Sequence, residues 1–417
     1  MARSARLKLL LAVSMLLPTT ALAPVSAQER EAFDEISADM EEIRNLDLLE
    51  PLDIRFISRD ELREELEGDL VDQEDAAAIA DNQRVLVAFG FLEPEENPQD
   101  LYVALLGEQV AGYYDPETNE MVVVLSGDGE EMTAVEEVTF AHETVHALQD
   151  QHFDLASFND VRMEGTDDES LAVTALIEGD ASLAEIDYLL ADMSLARDYL
   201  DEVNEASEDM DVVNSAPAFL VQTLTFPYNQ GFEFAQHLYD EGGWDLVDDA
   251  YDNPPNTTEQ VLHPQKYLDG EQAVPIAVPG VAGALGDEWR TLEENSMGEF
   301  VVSILLSGSD LGEDQVEAAH TGWGGDAYVA LTDDEDTAIA WVSEWDSEDD
   351  AEEFSRALVA RDAERLDADV EEEDGVITIT SGETVVQVVQ DGTRVSYLQG
   401  PDVATVHAMA ETLDGQD

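Results

Sequence analysis

Apolar residues recur every three or four positions through most of the chain before about residue 320, and this spacing predicts amphipathic helices. The segment from Val135 to Leu148 is the clearest case, since its apolar residues form one continuous stripe. Thr133 and Glu136 stand just ahead of the stripe in the arrangement of a capping box, which begins a helix. The same spacing predicts further helices over residues 29–49, 59–66, 76–91, 171–190, 228–240 and 288–307.

Alternating apolar and polar residues mark short strands in two parts of the chain. Residues 52–58, 109–114 and 121–125 have this character, and the turn around Asp115 to Asn119 joins the last two as a hairpin. Beyond residue 323 the alternation dominates, with strands predicted over 328–331, 337–344, 376–381, 384–390 and 393–398, and helices over 349–366 and 402–413. We therefore predict an α+β protein in which a mostly helical domain with a small mixed β-sheet spans residues 28–315 and a separate α+β subdomain spans 323–417.

The first residues have the pattern of an export signal. Basic residues at positions 3, 6 and 8 precede a short apolar run from Leu9 to Leu17, and small residues follow up to Ala27. The run is too short for an ordinary transmembrane helix. We predict a signal peptide over residues 1–27, cleavage after Ala27, and a secreted protein with no stable membrane insertion. Because the chain has no cysteine, it has neither disulfides nor a lipidated cysteine.

The charge of the chain is extreme, with 98 acidic residues against 17 basic ones and a formal net charge of -81. Such acidity is typical of disordered tails, but 44% of the residues are apolar and the acidic residues lie within periodic segments. We interpret the charge as adaptation to concentrated salt, which screens the self-repulsion of an acidic surface. The same charge argues against nucleic acid as a partner, because phosphate binding needs a basic patch.

The candidate chemistry lies in the predicted helix after Thr133, where His142-Glu143-Thr144-Val145-His146 reads H-E-x-x-H. Residues four apart on a helix share one face, so the two imidazoles point at one spot. Two neutral imidazoles suit Zn²⁺, and a carboxylate beside the first histidine can act on a water as a general base. The motif therefore predicts a zinc hydrolase with Glu143 as its base.

A catalytic zinc site needs a third protein ligand, and the sequence offers several. Glu178 is flanked by apolar residues on a broadly apolar helix, and a metal ion would compensate its buried charge. His152 falls where metzincins place a third histidine, but Gln149 replaces the glycine that turns the chain back to the metal. Glu164 and Glu169 are further alternatives. We favour a metal site formed by His142, His146 and Glu178.

A hydrolase of this kind also needs a donor that stabilises the developing oxyanion. The candidates are His263, Tyr267, Tyr228 and His237, and we favour His263 because its T-E-Q-V-L-H-P segment follows both predicted metal helices. The tryptophans of the C-terminal subdomain could form either a binding face or a core: Trp323, Trp341 and Trp345.

H-E-T-V-H with a downstream E-G-D-A resembles the gluzincin metallopeptidases, whose third ligand is a glutamate on a second helix. Several stretches also resemble a family of secreted, largely uncharacterised gluzincin-like proteins: residues 108–116, 142–152, 258–264 and 322–326. The resemblance implies a zincin-like fold with a sheet edge above the metal. It departs from the thermolysin type at Ser182, where those enzymes carry an aspartate that orients the first histidine.

Together these features predict an exported zinc peptidase that acts on a peptide or protein substrate. One alternative is a non-catalytic, zinc-stabilised binding protein at the cell exterior. Glu143 argues against it, because a structural zinc site needs no base and usually closes the fourth position with a protein ligand. Another alternative is a zinc hydrolase with a non-peptide substrate. The sequence does not predict the oligomeric state.

Overall fold

A computed structural model describes residues 27–65, 76–116, 118–125, 132–207, 211–382 and 384–414. Residues 1–26 of the predicted signal peptide lie outside this range, so the export prediction stays a prediction. Among the described helices, none is long and apolar enough to cross a membrane.

The described helices follow one another along the chain, and a helical segment over residues 59–65 stands beside them. In order they are α1 (Ala27–Arg44), α2 (Ala76–Phe89), α3 (Pro98–Gln109), α4 (Ala134–Phe153), α5 (Asn159–Glu164), α6 (Asp167–Ala191), α7 (Met193–Ser207), α8 (Asp211–Ser215), α9 (Ala218–Gly242), α10 (Trp244–Asp252), α11 (Thr258–Leu262), α12 (Pro264–Asp269), α13 (Val281–Leu285), α14 (Gly298–Ser307), α15 (Glu313–His320), α16 (Glu348–Arg365) and α17 (Val403–Asp414). A 3-10 turn, Leu155–Phe158, follows α4.

The described strands form two sheets. Their bounds are β1 (Asp53–Ser58), β2 (Gly112–Asp115), β3 (Glu120–Leu125), β4 (Arg290–Asn295), β5 (Trp323–Thr332), β6 (Thr337–Trp345), β7 (Val370–Glu373), β8 (Val376–Ser381), β9 (Thr384–Asp391) and β10 (Arg394–Gly400). The smaller sheet has the order β1-β3-β2, with β1 parallel and β2 antiparallel to β3. The larger sheet is antiparallel, in the order β4-β5-β6-β10-β9-β8-β7. The predicted α+β class and the small mixed sheet are confirmed.

Strand β3 supplies the core on both faces of the small sheet, because successive side chains of a strand point to opposite faces. Met121 and Val123 belong to the cluster that α1 and α4 cover, while Val122 and Val124 belong to a cluster on the other face. The first cluster is completed by Phe140 of α4 and other buried apolar residues. The small sheet is therefore buried directly against the helix that carries the H-E-x-x-H motif.

Helices α6 and α9 cross at unusually short range, because each has a glycine at the contact. A Cβ atom on Gly179 of α6 would lie 2.0 Å from the carbonyl oxygen of Gly231 of α9. A Cβ atom on Gly231 would lie 2.3 Å from the carbonyl oxygen of Ala175. The neighbours are backbone atoms, so the contact cannot relax through a side-chain movement. This crossing sets the distance between Glu178 on α6 and the facing turn of α9.

We expect Gly179→Ala to lower the free energy of unfolding by about 3 kcal/mol, because the added methyl group forces the two helix backbones apart. Denaturant unfolding in molar salt measures the effect. Gly283→Ala is the matched control, because Gly283 also lies in a helix and a Cβ there meets nothing within 4 Å. Equal stabilities of the two variants would contradict the close crossing.

The three tryptophans of the C-terminal part lie in the core and do not form a binding face. Trp323, Trp341 and Trp345 are each at most 2% exposed. The indole Nε1 atoms of Trp323 and Trp341 donate to Asp326, at 3.1 and 2.8 Å. Indole burial together with a satisfied N–H group is what a core tryptophan requires.

One predicted element is wrong in part. The helix expected over residues 288–307 is a strand from Arg290 to Asn295 and becomes a helix only at Gly298. Pairing of β4 with β5 gives these residues a hydrogen-bonded partner that the sequence does not reveal. As a result, the edge strand of the large sheet comes from within the range predicted for the catalytic domain.

Candidate metal centre

Helix α4 begins where the sequence predicts and presents the motif from its middle. The Thr133 side chain accepts a hydrogen bond from the Glu136 amide at 3.2 Å, and Glu136 accepts one from the Thr133 amide at 2.9 Å. The Glu202 carboxylate of α7 accepts from two more first-turn amides, those of Ala134 and Val135. These bonds satisfy amides that a helix start leaves without an intrahelical partner.

Helix α6 brings the third predicted ligand to the same spot. Oε2 of Glu178 lies 3.3 Å from Nε2 of His142 and 3.2 Å from Nε2 of His146. The three atoms lie within 4.8 Å of one another, and all three residues are buried. Two ligands that bind one zinc ion tetrahedrally, each at about 2.0–2.1 Å, lie about 3.3–3.4 Å apart. The donor types and the carboxylate–imidazole spacings therefore fit a zinc ion.

Each histidine is oriented through its other ring nitrogen. Nδ1 of His142 lies 2.9 Å from Oε2 of Glu185, which follows Glu178 by two helical turns on α6. Nδ1 of His146 lies 2.8 Å from Oε1 of Gln149, whose amide nitrogen donates to the Ile177 carbonyl and to Asp180. Both Nδ1 atoms therefore face acceptors, which leaves each Nε2 to ligate a metal.

A buried network behind Gln149 holds this arrangement in place. Asp180 accepts hydrogen bonds from Gln149, from Nε of Arg44 at 2.6 Å and from the Tyr251 hydroxyl at 2.7 Å. Arg44 and Asp180 are both fully buried, and Arg44 ends α1. A buried ion pair with satisfied oxygens resists rearrangement, so it ties the orientation of His146 to the packing of α1, α6 and α10.

The electrostatics of the cluster couple metal binding to proton release. Burial alone would lower the pKa of His142 and His146, but the Glu178 carboxylate more than offsets it and leaves both raised. Burial alone would raise the pKa of Glu178, but the two imidazoles hold it well below its ordinary value. A metal ion that binds here must displace protons from the imidazoles, so its affinity falls as the pH falls.

Glu143 lies beside the three candidate ligands and faces a cavity. Its carboxylate accepts the backbone N–H of Tyr114 in β2, and burial, assisted by the Glu178 charge, raises its pKa. Gly112 allows β2 this close to α4, because a Cβ at that position would lie 2.8 Å from Cγ2 of Thr139. A buried carboxyl group with a raised pKa is suited to proton transfer near neutral pH.

Tyr228 of α9 completes this side of the site. Its ring centroid lies 6.1 Å from that of His142, and its hydroxyl hydrogen-bonds to Glu178. Burial, followed by the charges of Glu178 and Glu143, raises the pKa of the phenol well above its usual range. Tyr228 therefore keeps its proton and can donate a hydrogen bond.

The remaining ligand candidates lie elsewhere or are engaged otherwise. His152 is exposed, and its Nε2 lies 2.8 Å from the Asp47 carbonyl oxygen. Glu169 completes the capping box of α6 with Thr166. The side chain of Glu164 lies outside the described part of the chain. Among the described residues, the structure brings together His142, His146 and Glu178.

His263, the donor that the sequence favours, lies in a different cluster. Its Nε2 is 3.0 Å from Oε1 of Glu299, and Nδ1 of His320 is 2.9 Å from the same oxygen. Glu299 is fully buried on α14. His263 does not line the described cavity beside Glu143.

We expect Glu299→Gln to lower the free energy of unfolding by about 1–2 kcal/mol near pH 6, since it weakens a charged hydrogen bond to a partly exposed histidine. The Glu299 hydrogen bond raises the pKa of His263 above 6.5 despite partial burial. The pair therefore stabilises the fold fully below pH 6.5, and this contribution disappears as the pH rises through the folded-state pKa.

Unfolding of the wild type and of Glu299→Gln at pH 6 and pH 9 measures this loss. The exposed Glu317→Gln on α15 is the control, with an expected effect near zero. A destabilisation that does not shrink at the higher pH would contradict the ion pair.

Two of the stretches that resemble the gluzincin-like family serve as anchors for α6. The amide and hydroxyl groups of Thr258 donate to Oδ1 of Asp168 at 2.8 and 2.6 Å. Gly298 has a φ of +70°, and a Cβ there would collide with Asp168. Asp326 accepts the amides of Met297 and Gly298. These stretches hold the N-terminus of the helix that carries Glu178, and they do not contribute a described ligand.

Residues 289–410 match the model of a family described as a domain of unknown function (DUF8575). The match covers the large sheet with α14 to α16 and most of α17, and it does not include the helices of the candidate metal centre. No curated protein and no solved structure matches the chain.

Proposed function

We propose that this chain is an exported zinc-dependent peptidase of the gluzincin type. The observation that carries the proposal is the convergence of two imidazole Nε2 atoms and the Glu178 carboxylate at zinc-ligand spacing, with Glu143 next to them. A structural zinc site has no use for a buried carboxylate that faces a cavity beside the ligands. This arrangement favours hydrolysis over a purely structural role.

In this proposal His142, His146 and Glu178 hold the zinc ion. Bound zinc supplies Lewis acidity and lowers the pKa of a water in the open coordination position. Glu143 takes the proton of the attacking water and later passes it to the leaving amine. Its raised pKa suits both steps, because the same group must accept a proton and then release it.

We propose Tyr228 as the donor to the oxyanion, in the role that the sequence suggested for His263. The phenol lies at the cluster and keeps its proton. In the resting arrangement its hydroxyl bonds to Glu178, and the developing negative charge on the substrate competes for this bond. His263 is bonded to Glu299 at 3.0 Å, away from the described cavity lining.

The free edge of β2 supports a peptide as the substrate. Within the described sheet, β2 pairs with β3 on one side, while the Tyr114 N–H points to Glu143. An extended peptide can bind such an edge by adding a strand, which brings a backbone carbonyl close to the base. The acidic composition further suggests that the enzyme works in concentrated salt.

The test is metal content and peptide hydrolysis of the mature protein, measured in molar salt. We expect about one zinc ion per chain, cleavage of casein or a quenched peptide mixture, loss of cleavage with a chelator and recovery on addition of zinc. Bound zinc without hydrolysis of any peptide would favour the zinc-stabilised binding protein. A protein that does not bind zinc would overturn both readings.

A further inference from the structure

A large cavity opens directly beside the proposed catalytic groups. Its volume is about 470 Å³, and it is bounded by α3, α4, α7 and α9, with the edge of β2 at one side. Val138 and Thr139 line it one helical turn before His142 and Glu143. On α9, Leu224 lines it one turn before Tyr228. The cavity is therefore continuous with the site and extends to one side of it.

The cavity wall is apolar in a chain that is otherwise strongly acidic. Apart from His142, the charged residues among its described lining are Arg59, Glu143 and Glu185. Glu185 is hydrogen-bonded to His142, and Arg59 donates to the carbonyl oxygens of Gly107 and Val110. Most other lining residues are valine, leucine and alanine. A ligand group in this space gains by leaving water, and no charged group of the wall is left to recognise an ion.

The edge of β2 determines how a peptide would approach this space. Gly112 lines the cavity and is followed by Tyr114, whose N–H reaches Glu143. Side chains of an extended peptide point alternately to opposite faces, so one side chain next to the scissile bond can enter the cavity while the backbone follows the strand. An acyl chain fits the apolar wall but makes no use of the β2 backbone.

We infer that the cavity is a specificity pocket for a bulky apolar side chain, so that the enzyme cleaves peptides beside leucine, isoleucine, methionine or phenylalanine. This inference rests on the proposed peptidase function. Hydrophobic pockets distinguish side chains that differ by one methylene group by about 10- to 200-fold in kcat/KM. A phenylalanine-to-alanine difference therefore gives a clear preference.

Helix α7 offers a wall position that can be changed with little risk to the fold. None of the described residues of α7 is fully buried, and Val203 is a half-buried residue that lines the cavity. Val203→Trp fills part of the pocket. Leu200→Trp is the matched control, because Leu200 lies on the same helix, is 57% exposed and does not line the cavity. Ala206→Trp, at an exposed lining position, is a second test of the same wall.

The experiment compares quenched peptides that differ only beside the scissile bond, with phenylalanine, alanine, aspartate or lysine. We expect the wild type to prefer phenylalanine over alanine by at least about tenfold in kcat/KM. Val203→Trp and Ala206→Trp should reduce this ratio several-fold, while Leu200→Trp should not change it. Sequencing of the products identifies which side of the bond the pocket reads.

The outcomes separate this inference from the proposed function. Cleavage of all peptides with similar efficiency, or equal ratios in Val203→Trp and Leu200→Trp, would overturn the pocket and leave the peptidase intact. Hydrolysis of an acyl ester with no hydrolysis of any peptide would overturn both the pocket assignment and the peptidase. A phenylalanine preference that both wall variants weaken would support the inference.

Discussion

We expect Glu143→Gln to abolish peptide hydrolysis and to leave the zinc content of the protein unchanged. Glutamine keeps the size and shape of the side chain, but its amide cannot accept the proton of the attacking water. A positioned general base contributes about 10²- to 10⁴-fold to the rate, so we expect kcat/KM to fall by about a thousandfold. The three candidate ligands do not include Glu143, so zinc should stay bound.

Zinc content by elemental analysis and kcat/KM on one peptide, both in molar salt, measure the two effects. Glu205→Gln is a suitable control, since this carboxylate is exposed on the neighbouring helix α7 and does not line the cavity. Loss of zinc from Glu143→Gln would mean that Glu143 is itself a ligand. Retained hydrolysis would place the base elsewhere and contradict the proposed mechanism.

Local signals in the sequence were sufficient to predict the helix of the motif. The capping box at Thr133, the apolar stripe and the spacing of His142 and His146 all lie within one helix, and all are found as predicted. Glu178 could be proposed for a similar reason, because a carboxylate on a buried helix needs compensation. Its position against the two imidazoles agrees with that reasoning, although metal binding itself stays a proposal.

Tyr228 was harder to place, because its surroundings depend on contacts between distant helices. The predicted helix began at Tyr228, after Pro227, whereas α9 begins at Ala218 and contains this proline. A proline removes one intrahelical hydrogen bond, which usually ends a helix in a sequence-based prediction. Here the close crossing of Gly231 with α6 stabilises the helix, and no local pattern reports such a contact.

The residues that orient the histidines were missed or read differently. In the sequence, Gln149 counted only as a poor substitute for the glycine of another metallopeptidase class, yet the structure shows it bonded to His146. Glu185 filled the role that was missing at Ser182, one turn further along α6 than the thermolysin-type spacing suggests. Its spacing of seven residues from Glu178 is a signal that could have identified it, since such residues share a helix face.

We expect Glu178→Ala to weaken zinc binding by more than about a hundredfold and to abolish hydrolysis as a consequence. The substitution removes one of three protein ligands, and even the residues that only orient ligands contribute about 10- to 100-fold to metal affinity. Glu178 also holds the negative charge that His142 and His146 face. Without it, the two remaining neutral ligands face a buried divalent cation with no carboxylate ligand to compensate its charge.

Competition with a chromogenic zinc chelator measures the affinity, and His152→Ala is the matched comparison because His152 is the rival third ligand. His152 is exposed and bonded to the Asp47 carbonyl oxygen, so we expect its removal to leave the affinity within about twofold of the wild type. Circular dichroism in the same buffer should show that both variants are folded. If His152→Ala lost the metal and Glu178→Ala kept it, the third ligand would be the histidine, and the gluzincin assignment would be wrong.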